Sequence, residues 1–302
     1  MKILITGDLH YTNKTPERRL DDYPTTLKNK IRHILSLSLL YNVDAIFQPG
    51  DLTDTPFLDY ANYMGLFDLL AGKFLPIYTI YGQHDLKYRN KGNTPVDALN
   101  QTLPYFHLAE NTEPVELQKD INLYSVSYGE DIPKITTSGF NILMIHKMIL
   151  FKVEQEWQEC YDLGTDFLSK NNFDLIISGD NHQSFKIEKT GKNKRYLFNC
   201  GSLMRSTIAQ IDHEPCFYCF DTTTRTYTQH MIPIKPWQEC FDLEKKIKEE
   251  ENSEKMKAYV QGLLKHKSLG LNFKDNLLSY LKINKIGTTV SEIIQNNMEV
   301  RK

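Results

Sequence analysis

The chain has 302 residues, room for one large domain with an appendage or for two modest domains. Forty per cent of positions are apolar and 25% charged, with 36 Lys+Arg against 38 Asp+Glu for a formal net charge of −2. This is the profile of an ordinary globular protein; it excludes disordered, collagen-like and coiled-coil chains. Near-neutral charge leaves nucleic-acid binding to a local basic patch, if it occurs at all.

No run approaches the ~18 consecutive apolar residues of a membrane span. Met1 to Ile5 is too short for the apolar stretch of a secretion signal, so the cytoplasm is the expected location. The five cysteines, an odd number, suit a reducing compartment and do not suggest a disulfide framework. Cys216 and Cys219 form a CxxC inside an apparent strand, Cys216 to Phe220, where residues three apart face opposite sides. Zinc or redox chemistry is therefore not expected there.

In chain order, the first 90 residues alternate between two periodicities. Lys2 to Thr6 reads as a strand, Leu27 to Leu40 after Pro24 as a helix, and Asp44 to Gln48 as a second strand. Leu58 to Leu70 follows as a helix and Ile77 to Tyr81 as a third strand, a βαβαβ pattern that predicts a parallel sheet. Further strand-like runs are Asn122 to Tyr128, Asn141 to Ile145, Leu175 to Ser178, Arg195 to Asn199, Cys216 to Phe220 and Tyr227 to Ile232. A helical segment is expected at about Glu154 to Ser169. So many strands with few intervening helices predict a layered α/β core of two sheets. Composition shifts near Pro233 to Pro236, so residues 1–235 are expected to form the main domain and 236–302 a polar helical appendage. Its segments are Glu244 to Glu254, Phe273 to Leu281 and Val290 to Met298; it reads equally as a packing extension or a docking element.

Five segments place metal-liking side chains directly after a strand. They are Gly7-Asp8-Leu9-His10, Gly50-Asp51-Leu52-Thr53-Asp54, Gly82-Gln83-His84-Asp85, His146, and Gly179-Asp180-Asn181-His182. Strand-end loops are where α/β sheets carry their sites, so convergence of five strands would gather these groups into one pocket. Taken singly, each is an ordinary turn with a capping Asp; their joint order is the signal. Carboxylate, imidazole and amide are what two divalent cations need to activate water against a phosphate ester. His33, His107, His213, His230 and His266 lack such a context and are expected to be structural or exposed.

With these residues in order from Asp8 to His182, the chain resembles the calcineurin-like metallophosphoesterases, whose pattern runs D-x-H, G-D-x-x-D, G-N-H-[DE], H, G-H-x-H. Within them it looks most like the SbcD and meiotic-recombination-eleven type DNA repair nuclease subunits, in compact phage-type form. Cys200-Gly201-Ser202-Leu203-Met204-Arg205-Ser206 resembles that group's Gly-Ser stretch. The resemblance implies two mixed central β-sheets flanked by helices, and two divalent cations, most often manganese, with magnesium as the alternative. It also implies that Asp8, His10 and His182 hold one metal, that Asp51 bridges, and that Gln83, His146 and Asp180 hold the other. His84 would be the catalytic imidazole, oriented by Asp85. Gln83 replaces the usual Asn and Asp180 the usual His, which should shift the second position toward hard ions.

The resemblance further implies a 3′ to 5′ exonuclease with single-strand endonuclease activity. Such a subunit is a homodimer that joins an SbcC-type coiled-coil ATPase; this sequence itself carries no Walker motif. Lys87, Tyr88, Arg89 and Lys91 would contact DNA, extended by Lys14, Arg18 and Arg19, although the same residues also read as a solvated surface. A stand-alone phosphatase or cyclic-nucleotide phosphodiesterase, and a scaffold with a decayed site, remain open alternatives.

Overall fold

Asp22 and Asp59 start the first two helices. Each carboxylate accepts a hydrogen bond from the backbone N–H three residues on, Thr25 at 3.2 Å and Asn62 at 2.8 Å, satisfying a donor that the first turn leaves unpaired. In the computed structural model of the chain, the residues described are 1–72, 75–110, 113–152, 161–191, 193–242, 277 and 281. The first half runs β1 (Lys2–Ile5), α1 (Tyr23–Leu40), β2 (Ala45–Gln48), α2 (Tyr60–Leu70), β3 (Ile77–Thr79), α3 (Pro95–Thr102), β4 (Phe106–Leu108), β5 (Val115–Gln118) and β6 (Ile121–Val126). The second half runs β7 (Phe140–His146), β8 (Ile149–Leu150), β9 (Asp162–Leu163), α4 (Gly164–Lys170), β10 (Leu175–Gly179), β11 (Phe185–Lys189), β12 (Arg195–Asn199), β13 (Cys216–Asp221), β14 (Thr226–Met231) and α5 (Trp237–Cys240).

Among the described residues, the strands form two six-stranded sheets, ordered β14-β13-β1-β2-β3-β4 and β11-β12-β10-β7-β6-β5, beside a small β8-β9 pair. In each large sheet four neighbouring strands are parallel, β1 to β4 in the first and β6, β7, β10 and β12 in the second. The remaining strands pair antiparallel at the edges. Period-two alternation then sorts the side chains between layers. Ile3, Ile5, Phe47, Ile142, Met144, Ile177, Phe198 and Tyr218 face inward and fuse the two sheets into one core. Leu4 and Ile46 face the other way, onto Leu27, Ile31 and Leu66 of α1 and α2. Leu143, Ile176 and Leu197 meet Phe167 and Leu168 of α4. The result is helix, sheet, sheet, helix, the mixed α/β architecture that the strand count and the resemblance predict. Each such fully buried side chain contributes about 1.5–3 kcal/mol, so these faces set the strand register.

Sequence periodicity misses the short edge strands β5 and β11, whose exposed alternate positions dilute the apolar signal, as well as β4 and α3. The helix expected at Glu154 to Ser169 is corrected to α4, Gly164–Lys170, while residues 153–160 lie outside the described residues. Cys216 joins the inter-sheet core and Cys219 packs against the helix-side core, so the CxxC pair does face opposite ways. The chain divides into two units, Met1–Phe241 and Asp242–Lys302. In the second, Leu277 and Leu281 are buried and helical; Glu244 to Glu254, Val290 to Met298 and the rest of Phe273 to Leu281 lie outside the described residues. Among the described residues, no helix is long and apolar enough to cross a membrane.

Candidate metal centre

Parallel strands end on the same side, and the two sheets present their carboxyl ends to one pocket. Register places Ile5 beside Phe47 and Gln48 beside Thr79 in the first sheet, and His146 beside Gly179 in the second. The following residues, Asp8 and His10, Asp51, Gln83 to Asp85, and Asp180 to His182, are thereby brought together with His146.

Three overlapping groups result: Asp8, His10 and His182; His10, Asp51 and His84; and Asp8, Asp51 and His146. Within each group, one ligand atom per residue lies within 4.8 Å of the others. Asp8, His10 and Asp51 each belong to two groups, so both carboxylates occupy shared positions. Asp180 is in none of them; its Oδ1 accepts a 3.0 Å hydrogen bond from Gln83 Nε2, and its backbone N–H donates to Asp8 Oδ2 at 3.0 Å. The two residues that depart from the family pattern therefore touch each other at the edge of the cluster.

The turns that deliver these groups are strained. His10, Asp51 and Asp180 have φ of 45°, 50° and 79°, left-handed values that cost about 1–2 kcal/mol each for a residue with a Cβ. Strain of this kind persists only where surroundings enforce it. Gly82 and Gly179 make the close approach possible: a Cβ on Gly82 would lie 2.0 Å from Asp51 Oδ1, and one on Gly179 would lie 2.6 Å from Asp8 Oδ1.

Asp8, Asp51 and His146 are buried, yet Asp8 Oδ1, Asp51 Oδ2, His146 Nε2, His10 Nδ1 and Gln83 Oε1 have no hydrogen-bond partner. Orphaned buried polar atoms are costly and rare, and five donor atoms of this kind in one pocket fit a cation's ligand set. Electrostatics agree. Burial raises the Asp8 carboxyl well above the usual range, an effect that the charge of Asp51 reinforces. Burial also pushes Asp51 toward its neutral form, but His146, with Nε2 3.4 Å from Asp51 Oδ2, overrides it and holds the carboxyl at about 2. The same contact raises His146 to about 10 against its own burial, whereas burial lowers His10 to about 3. Carboxylates competing for too little positive charge are the environment that a divalent cation relieves.

His84 stands at the opening. Its Nδ1–H donates to the Asp54 carbonyl at 2.8 Å, its backbone N–H donates to Asp51 Oδ1 at 2.8 Å, and its ring meets that of His10 edge-on. Asp85 does not orient it, which corrects the expectation. The Asp85 carboxylate is buried and accepts from the N–H groups of Gly82, Leu52 and Thr53 and from the Thr53 hydroxyl, tying the second and third loops together. Burial raises this carboxyl to about 6.

Sequence reasoning misses two buried glutamines. Gln48 donates to the carbonyls of Gly7 and Gly50 and accepts from the Thr79 hydroxyl, joining three strand ends. Gln210, in a 3-10 turn at Ile208–Gln210, reaches His182 Nδ1 at 2.8 Å. No spacing rule marks either residue, because both act through contacts across the fold. Among the histidines set aside, His213 is buried and donates to the Ser202 carbonyl at 2.7 Å, and His230 stacks on Tyr41 and Phe217. His266 lies outside the described residues.

Four residues after His84, Tyr88 is 77% exposed; Phe57 is 54% exposed, and the two rings lie 5.6 Å apart. Lys87 Nζ sits 5.7 Å from the Phe57 ring, and Arg89 is exposed. Two of the residues expected to contact DNA have protein partners. Lys91 is ion-paired to Glu110 and Glu130, and Arg19 is buried against Asp21 at 2.7 Å. Lys14 is exposed and Arg18 half-buried.

A family model described as Calcineurin-like phosphoesterase matches residues 1–184. No curated protein matches the chain. Among solved structures, the chain is similar to TT1561 of Thermus thermophilus, with 13% identity over 77% of this chain and 99% of that one and a TM-score of 0.48. It is also similar to a dimetal phosphatase from Danio rerio, with 9% identity over 72% of this chain and 91% of that one and a TM-score of 0.45.

Proposed function

The chain belongs to the calcineurin-like phosphoesterase family, and on that footing we propose that it is a metal-dependent DNA nuclease, the SbcD-type subunit of a recombination and repair complex. The observation that carries the DNA assignment is the rim formed by exposed Tyr88 and Arg89 and half-buried Lys87, which follow His84 in the chain, against exposed Phe57. Aromatic faces accept bases of any sequence, and adjacent cations neutralise backbone phosphates. A pocket built only for a small phosphomonoester has no use for such a rim. In this reading the protein acts as a homodimer with an SbcC-type coiled-coil ATPase in the cytoplasm, as a 3′ to 5′ exonuclease and single-strand endonuclease.

Asp8, His10 and His182 would hold one divalent cation and His146, Gln83 and Asp180 the other, with Asp51 between them. Manganese suits this mixture of imidazole and oxygen donors, and magnesium suits the oxygens. When bound, the pair supplies Lewis-acid polarisation of the phosphate and an acidified water. The chain's own residues do the rest. Asp51 fixes the His84 backbone through its N–H. The Asp54 carbonyl accepts from His84 Nδ1–H and anchors the ring, and with a second proton on Nε2, as the imidazolium, the ring is placed to pass that Nε2 proton to the departing oxygen and return to the Nδ1–H neutral form. Asp85 holds both loops in register without touching substrate.

The test is degradation of duplex and single-stranded DNA with manganese, in the wild type and in a variant carrying Lys87→Ala and Arg89→Ala. We expect nucleotide release by the wild type. The double variant should bind DNA more weakly, and the slope of log affinity against log salt should fall by about 2, one for each lost phosphate contact. Intact DNA alongside turnover of a phosphomonoester would overturn the assignment.

A further inference from the structure

Two of the four imidazoles in the pocket, His146 and His84, are held on the Nδ1 side by a backbone carbonyl. His146 Nδ1–H donates to the Pro49 carbonyl at 2.7 Å, and His84 Nδ1–H donates to the Asp54 carbonyl at 2.8 Å. His10 Nδ1 has no hydrogen-bond partner among the described residues, with the Asp54 carboxylate 3.7 Å away. An acceptor on the Nδ1 side keeps the hydrogen there and leaves the Nε2 lone pair available, the usual way in which a protein prepares a metal-ligating histidine. His182 is the one whose Nδ1 meets a donor.

What faces His182 Nδ1 is the carboxamide nitrogen of Gln210, at 2.8 Å, and three contacts fix which end of that amide is nitrogen. Gln210 Oε1 accepts from the backbone N–H of Ser206 at 2.6 Å and of Thr207 at 3.1 Å. Gln210 Nε2 also lies 3.2 Å from Ser202 Oγ, and that hydroxyl is already donating to the Met204 carbonyl at 2.7 Å, so it accepts from Gln210. Turning the amide over would set its NH2 against two backbone N–H donors. With an amide donor on Nδ1, neutral His182 carries its hydrogen on Nε2, the atom that lies 3.0 Å from His10 Nε2 and 3.8 Å from Asp8 Oδ2. That Nε2–H donates to His10 Nε2 and has no lone pair to give.

We propose that Gln210 is a positioning residue that withholds His182 from the cation held by Asp8 and His10, so that filling this position requires the Gln210 carboxamide to rotate off its two backbone donors. The inference rests on the metalloenzyme reading above and assigns that centre a built-in brake. The brake belongs to the segment Ser202–His213, which follows β12 and lies outside every motif that supplies a ligand. Whatever moves this segment, a partner or bound DNA included, would change how tightly the site loads.

Gln210→Glu is the discriminating variant. One carboxylate oxygen keeps the Ser206 and Thr207 donors, and the other accepts from His182 Nδ1–H, with the Ser202 hydroxyl turning to donate to it. Such carboxylate–histidine pairs alter metal affinity by about 10–100-fold. Long-range 1H–15N correlation spectra of the metal-free protein should show His182 with hydrogen on Nε2 in the wild type and on Nδ1 in Gln210→Glu. Calorimetric titration with Mn2+ should show the variant binding at least about tenfold more tightly at the first position. Gln210→Met, which removes the donor without adding an acceptor, should fall between them and guards against misfolding of the charged variant. An Nδ1–H tautomer in the metal-free wild type, or affinities in the order wild type, Gln210→Met, Gln210→Glu from tightest to weakest, overturns the proposal. Absence of Mn2+ binding by all three proteins overturns the metal reading itself, and the brake with it; the tautomer measurement tells these two failures apart.

Discussion

Asp51→Asn is expected to reduce phosphodiester hydrolysis by at least about 10²–10³-fold, the loss typical of removing one preorganised electrostatic element from a dry site. The new amide must keep its oxygen at the Oδ1 position, because the His84 N–H donates there at 2.8 Å. Its NH2 then replaces Oδ2, the atom 3.4 Å from His146 Nε2 and 3.7 Å from His10 Nε2. A donor and a lost negative charge would face the space where cations must sit, so Mn2+ affinity should fall along with rate. Stability of the metal-free protein supplies a second readout. His146 is raised from an ordinary 6.5 to about 10 by its contact with Asp51, so the folded state holds a proton that the unfolded state releases. That contribution is complete below pH 6.5 and is lost progressively as pH rises through 10. The same pair, seen from Asp51 with its carboxyl at about 2, is lost as pH falls through that value. Thermal melts of metal-free Asp51→Asn should lose the alkaline slope. Unchanged hydrolysis or an unchanged slope would show that Asp51 does not occupy the shared position.

His84→Gln carries the second large effect. General acid catalysis by a positioned imidazole is worth about 10²–10⁴-fold, so DNA cleavage should fall by that order. The choice of substrate separates proton transfer from metal binding. An aryl phosphodiester with a nitrophenolate leaving group departs without a proton, so the same variant should lose much less on it than on DNA. Mn2+ stoichiometry should be retained. His84 shares a cluster with His10 and Asp51, which makes the alternative concrete. Equal losses on both substrates together with a lost manganese equivalent would make His84 a ligand.

The groups that the chain's order and spacing make legible are those that a tight turn forces into small windows. A glycine followed by Asp or His after an apolar run marks Asp8, His10, Asp51, His84 and His182, because the backbone there must turn sharply and approach closely, and few residues permit it. The parallel strands β1, β2, β3, β7 and β10 read clearly since both of their faces are buried and their apolar runs are unbroken. Edge strands other than β14 do not: β11 alternates half-buried and exposed positions over Phe185–Lys189 and looks like a loop. Roles set by contacts across the fold leave no local trace either. Asp85 sits next to His84 in sequence, yet its carboxylate points to the Leu52–Thr53 backbone, and Lys91 sits in a basic stretch while its charge is taken by Glu110 and Glu130. Gln48 and Gln210 belong to the same class: a buried amide that chooses between donating and accepting is defined by partners that fold onto it from elsewhere.

On the proposed reading, strand-end loops from both sheets clasp a pair of cations. Anomalous diffraction from crystals soaked in manganese tests it most directly. Two peaks about 3.5–4 Å apart are expected, one against Asp8 and His10, one against His146, and both within reach of Asp51. A pocket with no anomalous density at saturating manganese, or with density only on surface carboxylates, would contradict the account.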